Sequence, residues 1–157
     1  MSICYIYQDK YPWDIRVDKE VSTFNENKYE THIVSRGGYG LPLIEKIFPH
    51  VYVHRLNVNS IKNINNIMNF PAFFSPFWLM KIFDVIKKFE VKLIIVRDLP
   101  LGPAAILAGK IKHIPVIIDM AENYPAMIQD TWKYRGPFIQ DYLIRNPNFL
   151  IFSVSLF

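Results

Sequence analysis

The chain has 157 residues, the length of one domain by the usual range of roughly 100–200 residues. Hydrophobic residues make up 51% of it, ample for a packed core, which excludes an intrinsically disordered chain. The formal charge of +4 favours anionic partners only weakly, and lysines and acids are interspersed rather than gathered on the basic face that nucleic acid needs.

The opening MSICYIYQDK has no basic n-region and a very short apolar run, so no signal peptide is expected. Ser2–Tyr7 is almost continuously apolar, the mark of a strand buried on both faces. It holds Cys4, the one cysteine, which has no internal disulfide partner and fits a reducing compartment. Tyr11-Pro12-Trp13-Asp14 supplies a turn. Asp14 is placed to cap a helix, with Asp18 and Glu20 early in it, where the helix dipole favours acids. Val17, Val21 and Phe24 keep i, i+4, i+7 spacing, which predicts an amphipathic helix over Ile15–Asn27.

Thr31–Ser35 reads as a second strand, and Gly37-Gly38-Tyr39-Gly40 then breaks the chain. No clear helix follows those glycines, so a flexible turn is a plainer reading than a phosphate cradle. Val51–Arg55 alternates as a third strand, and the Asn-rich run from Asn57 to Asn69 suggests loop or frayed helix. The longest uncharged stretch, Asn63–Met80, carries four Asn and two Pro, and a spanning helix needs about 20 largely apolar residues; no transmembrane segment is expected. Leu79, Ile82, Phe83, Ile86 and Phe89 form one helical face, with Lys81, Asp84 and Lys88 opposite.

The stretch from Lys92 to Pro125 organises the rest. Lys92–Val96 and Pro115–Asp119 are short apolar, β-branched runs, and between them a small-residue helical segment opens at Gly102-Pro103. Leu150–Val154 suggests a sixth strand. Strands alternating with helices over short loops predict a doubly wound α/β fold, a mostly parallel sheet with helices on both faces. Such a sheet places its ligand crevice outside the carboxyl ends of its strands. Both runs end in acid-bearing turns, Arg97-Asp98 and Asp119-Met120-Ala121-Glu122-Asn123, so both polar clusters are expected on one sheet edge.

Acids at that edge can orient sugar hydroxyls, act as a general base or pair with a cation. Asp98 and Glu122 are the candidate catalytic residues; Arg97, Asp119 and Asn123 are candidate substrate contacts. Arg97 could pair with one of the acids or hold a phosphate bidentately. A structural ion-pair network is the alternative. Asp14 and Arg16, with Lys19 nearby, surround a helix N-terminus able to take an anion; capping and solvation explain them equally. In FPAFFSPFW, Phe73, Phe74, Phe77 and Trp78 precede Lys81, a pattern suited to a membrane headgroup layer, to an aromatic acceptor groove, or to rings folded onto the core. His32, His50, His54 and His113 have no ligand spacing, so no metal is expected. No G-x-G-x-x-G, P-loop, G-x-S-x-G or zincin pattern occurs.

Three stretches carry a resemblance. YPWDIRVDKEVSTFNENKYETHIVSR resembles the opening of family-4 glycosyltransferases, with a helix of D-x-R-V-x-K-E character after the first strand. VRDLPLGPAAILAG resembles their fourth strand and following turn, and VIIDMAENYPAM their fifth strand, which often ends D-x-H-E. The resemblance spans roughly residues 3–147. It implies the Rossmann-like amino-terminal half of a GT-B fold, which binds a glycan or lipid-linked sugar acceptor at the cytoplasmic membrane face. A separate carboxy-terminal domain would bind the nucleotide-sugar donor, and transfer would retain anomeric configuration without a metal or other cofactor. Asp14 and Arg16 would line the cleft, and Arg97, Asp98, Asp119, Glu122 and Asn123 would face the acceptor or the transferred sugar. Ala121 stands where many relatives carry the histidine of D-x-H-E, and Arg97 where some carry His, so roles of those histidines do not transfer.

The paired glutamates of the family's donor domain are not in this sequence, and the chain ends Ser155-Leu156-Phe157 directly after an apolar run. Both features suggest a fragment that is inactive alone. The resemblance, with the aromatic and basic residues from Phe70 to Lys88, implies a cytoplasmic chain that can lie against the anionic inner face of the membrane. Two other readings stay open: a non-catalytic membrane- or glycolipid-binding module, and a flavodoxin-like small-ligand domain.

Overall fold

The structure, a computed structural model, describes residues 1–12, 14–57, 75–97 and 99–120. The expected strand Leu150–Val154 and most of the Asn-rich run lie outside them.

The first strand, β1 (Ser2–Tyr7), is buried along its whole length, as a continuous apolar run requires of a strand covered on both faces. Helix α1 (Ile15–Glu26) follows, then β2 (Glu30–Ser35), which returns parallel to β1 with Tyr5 opposite Ile33. β3 (Ile44–Phe48) and β4 (Val51–Arg55) form an antiparallel hairpin with an irregularity between Lys46 and Phe48. Helix α2 (Pro76–Lys88) leads to β5 (Leu93–Arg97); a 3-10 turn at Leu99–Leu101 opens helix α3 (Gly102–Lys112), and β6 (Val116–Asp119) follows. Proline stands in the first turn of both α2 and α3, where a missing N–H costs nothing.

The sheet order is β3-β4-β2-β1-β5-β6, parallel except for the β3–β4 pair. The predicted doubly wound α/β fold is observed. β3 is the element that the sequence reading lacks: its edge position needs no apolar alternation, and IEKIF shows none.

Side-chain alternation gives each face its own core. Val17 and Val21 of α1 pack with Ile3, Tyr5, Ile33, Val53 and Ile95 on one face. On the other, Trp78, Ile82 and Val85 of α2 and Ala104, Ala105 and Ala108 of α3 pack with Cys4, Ile6, Val34 and Ile94. The small residues of α3 let it lie close to the sheet. At Gly109 a Cβ would stand 2.3 Å from Val116 Cγ2 and 2.8 Å from the Ile114 carbonyl oxygen. α3 ends at His113, left-handed at φ 55.

Strand order reverses direction at β1: β2 and β4 lie on one side, β5 and β6 on the other. The switch point of the fold is therefore the crevice above the carboxyl ends of β1 and β5, where open α/β sheets bind ligands.

Candidate functional site at the sheet switch point

Three elements deliver charge to that crevice. Asp14 caps α1 after β1; its Oδ1 accepts from the Arg16 backbone N–H at 2.8 Å. Arg97 is the last residue of β5, and in register beside it stands Asp119, the last of β6. The two side chains form a direct ion pair. Arg97 also has Asp14 Oδ2 at 3.8 Å and Glu20 Oε1, from α1, at 3.9 Å. Its side chain is 5% exposed, whereas the three carboxylates are each about a third exposed. A buried guanidinium thus anchors three half-open acids.

The Tyr5 hydroxyl donates to Glu20 Oε2 at 2.8 Å. Burial raises the Glu20 pKa; the Tyr5 hydrogen bond opposes this, the Asp119 charge adds to it, and Arg97 opposes it. Burial also raises the Tyr5 pKa, with the Glu20 hydrogen bond reinforcing it. The crevice therefore holds a cation fixed in place, a carboxyl group shifted toward the protonated state and a phenol that stays protonated. Among the described residues two carboxylates and the Glu20 carboxyl group face one guanidinium, an arrangement that suits hydroxyl groups; Arg97 takes the carboxylate-pairing role of its two expected ones.

Among the expected site residues, Asp14, Arg97 and Asp119 meet here. Arg16 is exposed and enters through its backbone N–H. Asp98, Glu122 and Asn123 lie outside the described residues, as do Phe73 and Phe74. Trp78 is a correction: at 1% exposure it is a core side chain under α2, so it offers no surface for a membrane or an acceptor. Phe77, 37% exposed, and half-buried Lys81 remain on the α2 surface. Glu20 and Tyr5 are the members that sequence reasoning missed. The signal was present for Glu20, which sits three residues after Val17 and four before Phe24, at the margin of the buried helix face.

A second polar cluster lies on the opposite face. His32 Nδ1 and His54 Nε2 are 3.0 Å apart, and the Phe89 ring stacks on His32 at 3.8 Å between centroids. Burial lowers both pKa values, that of His54 to about 4. The pair is correspondingly neutral near pH 7 and packs as core. Among the described residues no group of three or more His, Cys, Asp or Glu is arranged to hold a metal, and no helix is long and apolar enough to cross a membrane.

The fold has solved counterparts. A chain of sucrose-phosphate synthase from Thermosynechococcus elongatus superposes with TM-score 0.59 at 12% identity, covering 99% of this chain and 95% of that one. A longer chain of the same protein superposes with TM-score 0.62 at 11% identity, again over 99% of this chain, but over 39% of its own length. This chain therefore shares the α/β fold of that protein, and it spans well under half of the longer counterpart. No protein-family model matches the sequence, and no curated protein sequence matches it.

Proposed function

We propose that the chain is the acceptor-side domain of a retaining glycosyltransferase that moves a sugar from a nucleotide-sugar to a glycan or lipid-linked acceptor. The observation that carries this reading is the cluster of Arg97, Asp14, Glu20, Asp119 and Tyr5 at the switch point of a glycosyltransferase-like fold. Carboxylates accept hydrogen bonds from sugar hydroxyls, and the fixed guanidinium keeps them oriented without a ligand present. Glu20, with its raised pKa, is suited to exchange a proton with an acceptor hydroxyl.

In this reading the family-4 assignment rests on the sequence resemblance. A donor-binding domain facing this edge supplies the support for the leaving phosphate, the larger part of the barrier. A lipid-linked acceptor would place its lipid toward Phe77 and Lys81, at the inner membrane face.

The test is equilibrium binding of lipid-free oligosaccharides by calorimetry. Wild-type chain is expected to bind at least one, and Asp119→Asn and Glu20→Gln to weaken it about tenfold each, the loss of one charged hydrogen bond. Binding of a flavin or free nucleotide with no oligosaccharide bound would overturn the reading in favour of a small-ligand domain.

A further inference from the structure

The opposite edge of the sheet carries a cavity of about 450 Å³, where the last turns of α2 and α3 meet the amino ends of β5 and β6. Each helix passes into its strand through a left-handed residue, Glu90 at φ 47 after α2 and His113 at φ 55 after α3. Sheet hydrogen bonds hold the walls in place. The Lys92 N–H donates to the Ser2 carbonyl at 2.9 Å, and the Ile94 N–H to the Pro115 carbonyl at 3.0 Å. Buried Ile86 and Val91, with half-buried Ile114, supply the apolar part of the lining.

Charge decides what the cavity takes. Lys87 comes from α2, Lys92 from the residue before β5 and Lys112 from α3; all three line the cavity and are exposed. None of them forms an ion pair among the described residues. Glu90, also exposed, is the one acid in the lining. Lysines in a last helical turn offset the helix dipole, but that dipole amounts to about half a charge at each end. α2 brings Lys87 and Lys88 to its end, and α3 brings Lys110 and Lys112. A pair of cations at each end exceeds what the dipole calls for, and Lys92 belongs to no helix. The balance stays positive after Glu90 is counted.

Shape narrows the class of ligand. A flat basic surface would suit a layer of anionic headgroups. This surface is concave, and its volume falls within the range of about 300–1,000 Å³ typical of small-molecule pockets. A cleft lined by one sign of charge concentrates its field on whatever enters. Ammonium groups are compact point charges with several donors, which suits phosphate oxygens approached from different sides. Ile86, Val91 and Ile114 leave room for a small carbon body beside the anionic group.

We propose that this cavity binds a small, multiply charged phosphate compound, such as a diphosphate, held by Lys87, Lys92 and Lys112. The site lies on the sheet edge opposite the Arg97 cluster, and the proposal goes beyond the acceptor-binding reading without depending on it.

The experiment is an amide NMR titration of the whole chain with pyrophosphate at low ionic strength. Methyl glucoside serves as the uncharged control, and sedimentation with vesicles of phosphatidylcholine and phosphatidylglycerol runs beside it. Pyrophosphate is expected to shift the amides of Val91, Lys92, Lys112 and His113 saturably, and methyl glucoside to leave them unmoved. Lys92→Gln and Lys112→Gln should each weaken pyrophosphate about fivefold, the loss of one opposite charge in water-like surroundings. Glu90→Gln removes the one acid and should tighten it about twofold. All three side chains are exposed, so the variants should keep the wild-type circular dichroism. Equal shifts at Lys10, Lys19 and Lys28, unchanged affinity in both lysine variants, or weaker binding in Glu90→Gln would overturn the proposal. Sedimentation with the anionic vesicles without a saturable response to pyrophosphate would replace it with a membrane contact. Oligosaccharide shifts at Asp14, Arg97 and Asp119 with no pyrophosphate response here would remove this site and leave the acceptor-binding reading standing.

Discussion

Replacing Arg97 by Met keeps much of the side-chain volume and removes the charge that holds the crevice together. The Arg97 side chain is 5% exposed and sits among Asp14, Glu20 and Asp119. Breaking a buried ion pair by deleting one partner costs about 3–5 kcal/mol. Because the three carboxylates are each about a third exposed and can turn to water, the lower end, about 3 kcal/mol, applies here. With a urea slope of roughly 1.5–2 kcal/mol/M for a domain of this size, the unfolding midpoint should fall by about 1.5–2 M. Adding Asp119→Asn should return part of that loss, since one fewer carboxylate is left unbalanced. The Glu20 pKa, which Arg97 lowers in the wild type, should rise further in the single variant. A midpoint shift below about 0.5 M, or strictly additive effects in the double variant, would refute the idea that Arg97 organises the acids.

Glu20→Gln should be neutral or slightly stabilising near pH 7, because burial and Asp119 already disfavour its charge, yet it should weaken oligosaccharide binding; calorimetry beside urea unfolding reads both. Acid should act through the buried histidines. A pKa depressed from 6.5 to about 4 in the fold means that His54 contributes its full stability above pH 6.5. That contribution drains away as the pH falls through 4, by at most about 3 kcal/mol, and His54→Phe should flatten this part of a stability–pH profile. Gly109→Ala gains about 1 kcal/mol in helix propensity but drives a methyl to 2.3 Å from Val116 and against the Ile114 carbonyl; a net loss of about 1–2 kcal/mol should appear in thermal melts. Trp78→Ala should cost about 3–5 kcal/mol, as a core truncation rather than a surface change.

The parallel strands were legible because burial on both faces imposes continuous apolar runs, as in Ser2–Tyr7 and Leu93–Arg97. α1 was legible from Val17 and Val21 with Asp14 as its cap. β3 was not, because an edge strand paired on one side is free of that pattern. Trp78 illustrates the opposite failure: an aromatic beside Phe77 and near Lys81 looks like surface until helical phase turns it inward. The convergence of Asp14, Arg97 and Asp119 followed from the rule that parallel strands share a carboxyl edge. Glu20 and Tyr5 join them only through the packing of α1 across β1, and Arg55 reaches the Tyr11 carbonyl across 44 residues. His32 and His54 likewise meet through strand pairing, which sequence spacing does not reveal.

The measurement that bears most directly on the central claim is where an oligosaccharide acceptor touches the chain, mapped by amide NMR during titration. Saturable shifts are expected at Asp14, Glu20, Arg97 and Asp119, lost in Asp119→Asn. Saturable shifts at the amino ends of the strands instead, around Lys92 and His113, with the carboxyl edge unmoved, would contradict it.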